Sequence, residues 1–424
     1  MFVDTRPSTI ICNAPRMSPS LPNIGNHVHH GHVVALAALL APIVAVLAPL
    51  GLAPFLGVSA AFLLGLRRAR TGTWLSRPSQ VVVIVGVLFA WILASYFWTI
   101  DVNAFTEKIL RLVGVLISGI VFLDGSNDLD HEGKRLVRRM LIVGIALGLV
   151  LEFVDRISDI PMRDLILGND PTEKPPLYSF NRAATAIALL IWPAVLAIWR
   201  QRRIIAIAVF AVGLTIIVSY ASNSAIASLL VGAVAFALVF WIPRKAATAI
   251  GLILATLLMI SPLIPAWLPD QTALKQHQEM ITNSGYHRVL IWKFVAEKIA
   301  ERPLLGWGFN TSRSIPENNK ILYGNSSALP LHPHNAFLQI WLELGFPGAV
   351  LGAVLIAGIM IRIGRMTTAR IDKAVTAGLV LGIATIGNLS YGAWQSWWLA
   401  TIWLCACFMC VAIERTGKHI DQIR

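Results

Sequence analysis

The sequence has 424 residues, of which 56% are hydrophobic and only 13% are charged, and its mean hydropathy is +0.69. Soluble domains carry about 25% charged residues. This composition therefore excludes a soluble globular domain and predicts an all-α integral membrane protein. The net charge of +13 would also fit a nucleic-acid-binding protein, but the positions of the charges along the chain give a different explanation.

The chain divides into a polar tail and a long apolar remainder. Residues 1–32 contain no apolar core of a signal peptide, and we expect them to form a disordered cytoplasmic tail. Residues 33–424 are predicted to form a single polytopic membrane domain, because apolar runs near the roughly 20 residues that a crossing needs recur along them. About twelve transmembrane helices are predicted, near 33–51, 53–66, 80–98, 109–124, 140–154, 183–199, 204–220, 222–242, 246–266, 346–361, 374–391 and 394–413.

Basic residues occupy every second loop between these segments. The loops near 67–77, 134–139, 200–203, 244–245 and 362–373 contain Arg and Lys, whereas those near 50–54, 99–107, 220–223 and 391–394 contain almost none. This alternation is the positive-inside pattern. It predicts that both termini are cytoplasmic and that a large loop, about 267–335, is periplasmic together with a shorter loop at 155–182. Much of the positive charge thus reflects topology, and no nucleic acid is expected as a partner.

The stretch 331–348 combines polar side chains with an apolar helix. Pro333 precludes a helix immediately before it, and Gly345 is expected to end it. At helical spacing, Asn335, Gln339 and Glu343 form one polar stripe. We interpret the stripe, headed by His332 and His334, as the wall of a wet cavity within the membrane protein. The alternative is a helix capped by Asn335 with surface histidines.

Two arginines are predicted to face outward near these histidines. Residues 284–302 have the pattern of an amphipathic helix that lies along the membrane surface, with Arg288 and Trp292 on one face. Arg182 follows the shorter outer loop, directly before a membrane helix. A lone arginine at such a place is commonly an interfacial anchor. A guanidinium also suits pyrophosphate, because it forms forked hydrogen bonds.

Together these residues resemble the O-antigen ligase/polymerase superfamily. The resemblance also covers the architecture, with about twelve crossings, both ends inside and one large periplasmic loop before the last three helices. It rests on His334-Asn335, Phe337-Leu-Gln339, Glu343-x-Gly345-x-x-Gly348, Arg288, Trp292, Pro303-x-x-Gly306-x-Gly308 and Trp98-Thr-Ile-Asp101.

One turn departs from the family pattern. Members often carry an arginine in a Ser/Thr-rich turn at the outer end of the helix pair that corresponds to 204–242. Here the turn reads Ser219-Tyr-Ala-Ser-Asn-Ser224 and has no arginine. Either Arg182 supplies that charge, or Ser222, Asn223 and Ser224 hold the phosphates through polar contacts.

The resemblance implies a membrane glycosyltransferase of the bacterial inner membrane. The donor would be a glycan linked to undecaprenyl pyrophosphate. A ligase of lipopolysaccharide biosynthesis would transfer it to lipid A–core, whereas a Wzy-type O-antigen or exopolysaccharide polymerase would transfer it to another glycan. The compact chain with one dominant loop favours the ligase.

We assign roles to the residues by the chemistry of this transfer. Pyrophosphate is a good leaving group, so the reaction needs positive charge on the phosphates, from Arg288 and Arg182, and a base for the acceptor hydroxyl. His334 is our choice of base, with Asn335 orienting it or the sugar and His332 as the second candidate. Gln339, Glu343, Trp292, Ser222 and Asn223 would support the site. The displacement is expected to be inverting, with no metal and no cofactor.

Two other classes of function stay open. A transporter of an anionic solute could use the same arginines and histidines, but it is expected to show internal repeats and broken helices near mid-membrane, and no repeat is evident. A non-catalytic assembly partner is the other class. Replacing His334 separates it from the enzyme, because a scaffold would keep its function.

Overall fold

The computed structural model describes residues 30–74, 80–158, 162, 180–269, 283–323, 326–329 and 331–414. Thirteen long helices account for most of these residues. They are α1 His30–Leu47, α2 Leu52–Thr71, α3 Gln80–Ala94, α4 Val102–Asn127, α5 His131–Ile157, α6 Asn181–Trp199, α7 Arg203–Ser219, α8 Asn223–Trp241, α9 Pro243–Ile260, α10 Asn283–Glu301, α11 Ala336–Arg365, α12 Arg370–Leu389 and α13 Ser396–Ala412.

The remaining regular elements are short. The 3-10 helices are Pro49–Gly51, Ser95–Phe97, Ile264–Trp267 and Ser312–Ser314. Strands β1 Ile321–Tyr323 and β2 Ser326–Ser327 pair antiparallel in the segment before α11. This small hairpin is the one departure from an all-helical chain within the described ranges, and the sequence did not predict it.

Every predicted apolar segment coincides with a helix. Within the part of the chain that the structure describes, seven helices are long and apolar enough to cross a membrane: α1, α2, α4, α6, α8, α9 and α11. Helices α3, α7 and α13 are apolar but shorter. Helix α1 begins at His30, so the last three residues of the predicted tail are helical, and residues 1–29 lie outside the described ranges. An integral membrane protein is thereby supported, while the count of twelve crossings and the side on which each loop lies stay predictions.

Helix α6 is the centre of the bundle. All of its residues from Ala183 to Ile198 are buried, and α1, α5, α7, α12 and α13 pack around it. A second apolar cluster joins α9, α10 and α11, and a third joins α3 and α4 to Phe309 and Trp394. A helix that is apolar on all sides is expected in such a central position.

Alternate helix ends meet at one end of the bundle. The ends of α3, α9 and α12 lie there with the starts of α4, α6, α8, α11 and α13. Side-chain bonds across this end include Trp98 Nε1 to the Leu305 carbonyl, Trp341 Nε1 to the Leu258 carbonyl, both at 2.9 Å, and Ser224 with Ser390 at 2.6 Å. The histidine pair and α10 lie at this end. The opposite end carries ion pairs of Arg67, Arg138 and Arg200.

Candidate active site

The two histidines lie side by side in the turn before α11. Their ring centroids are 4.3 Å apart, and His332 is buried while His334 is half-buried. His334 has φ +53°, a left-handed conformation that is uncommon for a residue with a side chain. Two bonds fix the turn: the His334 N–H donates to His332 Nδ1 (3.2 Å), and Trp292 Nε1 donates to the Pro333 carbonyl (2.9 Å). The predicted supporting residue Trp292 thus ties α10 to the histidine turn.

His334 is held as a neutral ring whose Nε2 has no bond to another described residue. Its Nδ1 lies 2.6 Å from the Ser390 carbonyl. Because a carbonyl oxygen only accepts, Nδ1 carries the hydrogen and Nε2 keeps its lone pair. Burial lowers the pKa of His334, Arg288 and His287 lower it further, and the Ser390 bond acts in the opposite direction. A neutral imidazole with a free Nε2 is the form that a general base requires.

His332 is less suited to that role. Its Nδ1 accepts from the His334 backbone, and its Nε2 lies 3.2 Å from Gln395 Nε2. Burial, with added repulsion from His334, Arg313 and other cations, lowers the pKa of His332 to about 3. Both ring nitrogens contact protein groups, so the geometry favours His334 over His332 as the base.

Asn335 caps α11. Its Oδ1 accepts from the Phe337 and Leu338 backbone N–H groups at 3.0 and 3.1 Å, which is the usual bonding of an N-cap residue. Asn388 Oδ1 also accepts from the Phe337 N–H, at 3.2 Å. The cap sets where the helix starts and therefore where the histidines lie. Orientation of a sugar by Asn335 stays a prediction.

Gln339 and Glu343 do share one face of α11, but this face is dry. Gln339 is 4% exposed and Glu343 is fully buried. Their polar atoms bond to protein groups: Gln339 Nε2 donates to Glu343 (3.0 Å), and Gln339 Oε1 accepts from the Ala393 N–H (2.8 Å). The expected wet wall is therefore a polar hub inside the protein. The pattern of the stripe does not distinguish these two cases, because both need polar side chains at helical spacing.

Glu343 joins three separate segments. Its carboxylate accepts from Asn310 N–H, Ser312 Oγ and Trp394 Nε1 at 2.7, 2.5 and 2.7 Å. A buried carboxylate has only acceptors and is stable when donors surround it. This arrangement fixes the 308–312 turn and the 390–395 turn against α11, and the second of these turns contacts both histidines through Ser390 and Gln395.

Glycines let the 303–308 turn pack against α11. Gly345 is non-helical (φ +63°) and kinks α11, which continues beyond it without a connecting loop. Gly306 has φ +70° and lies against it, so that a Cβ on Gly306 would be 2.7 Å from the Gly345 nitrogen. The Trp307 and Gly308 N–H groups donate to the carbonyls of Leu342 and Glu343. The glycines of the two motifs thus permit one close contact, between the backbone of the 303–308 turn and the backbone of α11 at 342–345.

Both predicted arginines lie near the histidine turn. Arg288, on α10, is half-buried, and burial lowers its pKa. No hydrogen bond or carboxylate partner of its side chain occurs within the described ranges. Arg182 is the second residue of α6 and is exposed. Tyr391, the residue after Ser390, interacts electrostatically with both arginines. The structure therefore brings both arginines to one region, around Tyr391.

The Ser/Thr-rich turn borders the same region. Ser222 is buried, and its hydroxyl has no hydrogen-bond partner in the part of the chain that the structure describes, whereas Asn223 is exposed at the start of α8. Ser224 bonds Ser390, whose carbonyl accepts from His334. Two hydrogen bonds, Ser224 with Ser390 and His334 with the Ser390 carbonyl, thus connect the turn to the proposed base. Contact of Ser222 or Asn223 with phosphate stays a prediction.

Two further cations were missed by the sequence interpretation. Lys108 on α4 and the exposed Arg313 both interact electrostatically with His332 and with each other. Asp101 connects their segments, because it caps α4 through the Ala104 N–H (2.8 Å) and accepts from Ser314. The Trp98-Thr-Ile-Asp101 element marks the start of α4, but no spacing in the sequence relates it to Arg313.

No three His, Cys, Asp or Glu side chains within the described ranges are grouped closely enough to hold a metal ion. The histidines instead contact each other, backbone groups and Gln395. Metal-independent transfer remains a prediction that activity measurements must test.

Comparison with known proteins agrees with the resemblance seen in the sequence. The O-Antigen ligase family profile matches residues 207–353, which include every predicted site residue except Arg182. Similar proteins include three with the name "Putative polysaccharide ligase" from Rickettsia. The one from Rickettsia conorii is 26% identical over 77% of this chain and 79% of its own length; for Rickettsia bellii the values are 28%, 75% and 77%, and for Rickettsia prowazekii 28%, 66% and 69%. With the motifs above, these matches confirm the resemblance of the chain to an O-antigen ligase-like family.

Proposed function

We propose that the protein transfers a glycan from undecaprenyl pyrophosphate to a sugar hydroxyl at the periplasmic face of the bacterial inner membrane. The acceptor is lipid A–core, so the reaction is O-antigen ligation. The observation that carries the proposal is the fixed His334 ring, with Nδ1 bonded to the Ser390 carbonyl and Nε2 free, beside the half-buried Arg288, which pairs with no carboxylate of the described residues. The family description, O-Antigen ligase, and the names of the relatives, which are polysaccharide ligases, support a glycan-transfer reaction of this kind.

In this reaction one bond forms as another breaks. The acceptor hydroxyl oxygen attacks the anomeric carbon, and its proton passes to His334 Nε2. The bond between that carbon and the pyrophosphate oxygen breaks, and the electron pair leaves with undecaprenyl pyrophosphate. A single displacement of this kind inverts the anomeric configuration.

The cations contribute most as the leaving group acquires charge. A guanidinium that is already partly desolvated, as the half-buried Arg288 is, interacts more strongly with a phosphate than an arginine in water does. Arg182 adds charge near Tyr391, and Lys108 and Arg313 add charge near His332. These residues can stabilise the departing pyrophosphate without a strong general acid, because pyrophosphate needs no proton to leave.

Reconstitution tests the proposal. Purified protein in liposomes would be given lipid-linked glycan with lipid A–core, and separately lipid-linked glycan alone. We expect transfer to lipid A–core, in the presence of chelator, with inverted anomeric configuration by NMR. Lengthening of the glycan on its polyprenyl carrier would make the protein a polymerase, and retention of configuration would exclude the single displacement. Exposed His131, at the other end of the bundle, offers a matched control: His131→Ala should transfer as the wild type does.

A further inference from the structure

A basic recess lies at the end of the bundle opposite the histidine pair. Helix α11 runs from the histidine turn at Ala336 to Arg365, and α12 returns from Arg370 towards Ser390. At about 1.5 Å per residue, the 30 residues of α11 span up to ~45 Å. The recess is therefore separate from the candidate active site and takes no part in the proposed transfer.

Four cationic side chains line this recess. Arg244 is the second residue of α9, Arg365 ends α11, and Arg370 begins α12, one turn before Lys373. With Pro243 and Gly364 they line a shallow, open recess of about 730 Å³. Gly364 permits the close approach of α11 and α9, because a Cβ there would lie 3.3 Å from the Arg244 Cα. Tight packing of the two helices thus brings Arg244 and Arg365 to one site.

Charges in the recess are not neutralised by the described part of the protein. Elsewhere at this end of the bundle, Arg67 pairs with Asp124, and Arg138 pairs with Glu414. Asp372 lies in sequence between Arg370 and Lys373 but is buried and pairs with Arg200 instead. Within the described ranges, none of the four lining cations has a carboxylate partner.

The helix geometry adds to this positive charge. Helix α9 begins at the recess without a side-chain hydrogen bond from its N-cap residue, whereas at the start of α12 the Asp372 carboxylate accepts from the Ala369 N–H at 3.2 Å. The partial positive charge of a helix N-terminus favours an anion. Beside the recess, Trp241 and Ile242 at the end of α8 are 73% and 53% exposed. Exposed tryptophan next to basic residues is typical of the boundary between lipid head groups and acyl chains.

We propose that this recess binds the phosphate of an anionic membrane phospholipid. Arginine side chains from three helices provide forked donors for the phosphate oxygens. The apolar flank at Trp241 and Ile242 contacts the adjoining acyl region. Basic pockets between membrane helices on the cytoplasmic side are suited to such head groups, and the positive-inside pattern predicts that this end of the bundle is cytoplasmic. A free phosphate ion would use the same cations but not the apolar flank.

The test measures lipid binding to the full-length protein in detergent. Phosphatidylglycerol would be titrated and bound lipid counted by native mass spectrometry, with phosphatidylcholine as the zwitterionic comparison and inorganic phosphate as a competitor. The variant Arg244→Gln/Arg365→Gln/Arg370→Gln removes three exposed cations. We expect saturable binding of phosphatidylglycerol to the wild type, and a loss of affinity of more than about tenfold in the variant.

A matched control removes the same number of positive charges from the same end of the bundle. Arg135, Arg139 and Arg202 are exposed and lie outside the recess, and their replacement by Gln should leave affinity within about twofold. Gel filtration and circular dichroism would verify that both variants are folded.

Three results would overturn the proposal. Equal loss of affinity in the control variant would mean that lipid responds to diffuse charge and not to the recess. Equal binding of phosphatidylcholine would remove the requirement for an anionic head group. Displacement of the lipid by inorganic phosphate at equal concentration would make the recess a site for free phosphate. The readout is binding, so failure here leaves the proposed glycan transfer unaffected.

Discussion

The sharpest test of how the site is held together is Glu343→Gln. The Glu343 carboxylate accepts four hydrogen bonds: Oε1 from Ser312 Oγ and Gln339 Nε2, and Oε2 from the Asn310 N–H and Trp394 Nε1. A glutamine keeps one acceptor oxygen and places an NH₂ group at the other position. The Oε2 partners, a backbone amide and an indole, can only donate. The new oxygen must therefore face Asn310 and Trp394.

The amide nitrogen then faces Ser312 and Gln339, which can both adapt. The Ser312 hydroxyl can rotate and accept. Gln339 can turn its own amide to accept, but its Oε1 would then leave the Ala393 N–H, which it now bonds at 2.8 Å. One buried donor, the Ala393 N–H, then has no acceptor, which lowers the free energy of unfolding by about 1–3 kcal/mol. Glu343→Met leaves all four donors without an acceptor. On the same scale the cost is roughly 4–12 kcal/mol, which is comparable to the stability of a whole domain.

The assay is thermal unfolding of purified protein, followed by tryptophan fluorescence. Glu343→Gln should unfold at a lower temperature than wild type, and Glu343→Met should not accumulate. The double variant Gln339→Glu/Glu343→Gln restores the bonding, because the carboxylate at position 339 accepts both from the Ala393 N–H and from the side-chain amide introduced at position 343. We expect it to be more stable than Glu343→Gln alone. A double variant no better than the single one would refute this account of the hub, as would a Glu343→Met protein of normal stability.

Three other predictions follow from the same contacts. Gly306→Ala should prevent accumulation of the protein, because its Cβ would lie 2.7 Å from the backbone of Glu343, whereas Gly358→Ala, which meets nothing within 4 Å, should behave as wild type by immunoblot. Arg288→Lys keeps the charge but loses the planar fork, so transfer by the purified enzyme should fall by about 10²–10³-fold without a change in abundance; full activity in Arg288→Ala would make this residue an anchor only. His332 has a folded pKa of about 3 against about 6.5 unfolded, so the unfolded chain binds more protons below pH 6.5 and stability falls as the pH drops. The unfolding temperature should therefore decrease between pH ~7.5 and ~5, and the decrease should be smaller in His332→Asn; equal slopes would contradict the buried neutral ring.

Features that depend on local sequence could be predicted. Helix positions follow from apolar length, and α10 was expected over 284–302 and is found at Asn283–Glu301. The break at Gly345 also follows from local chemistry: a helix end at Gly345 and an apolar segment at 346–361 were expected, and Gly345 is non-helical with helix on both sides of it. The distribution of Arg and Lys indicated which helix ends lie together.

Features that depend on distant contacts could not be predicted. Nothing near Glu343 in the sequence indicates that Asn310 and Trp394 donate to it. The same holds for the Ser390 carbonyl that selects the His334 tautomer. The structure also bears on how the transfer activity should depend on pH, because burial lowers the pKa of His334. The decline of activity in acid is therefore expected below pH ~6.5, the unperturbed histidine value.

The measurement that tests the central claim most directly is the transfer rate of purified His334→Ala in liposomes, with lipid-linked glycan and lipid A–core. Loss of the general base should reduce the rate by about 10²–10⁴-fold, while the abundance and unfolding temperature of the protein stay near wild-type values. His334→Ala that transfers glycan at the wild-type rate would contradict the assignment of His334 as the base.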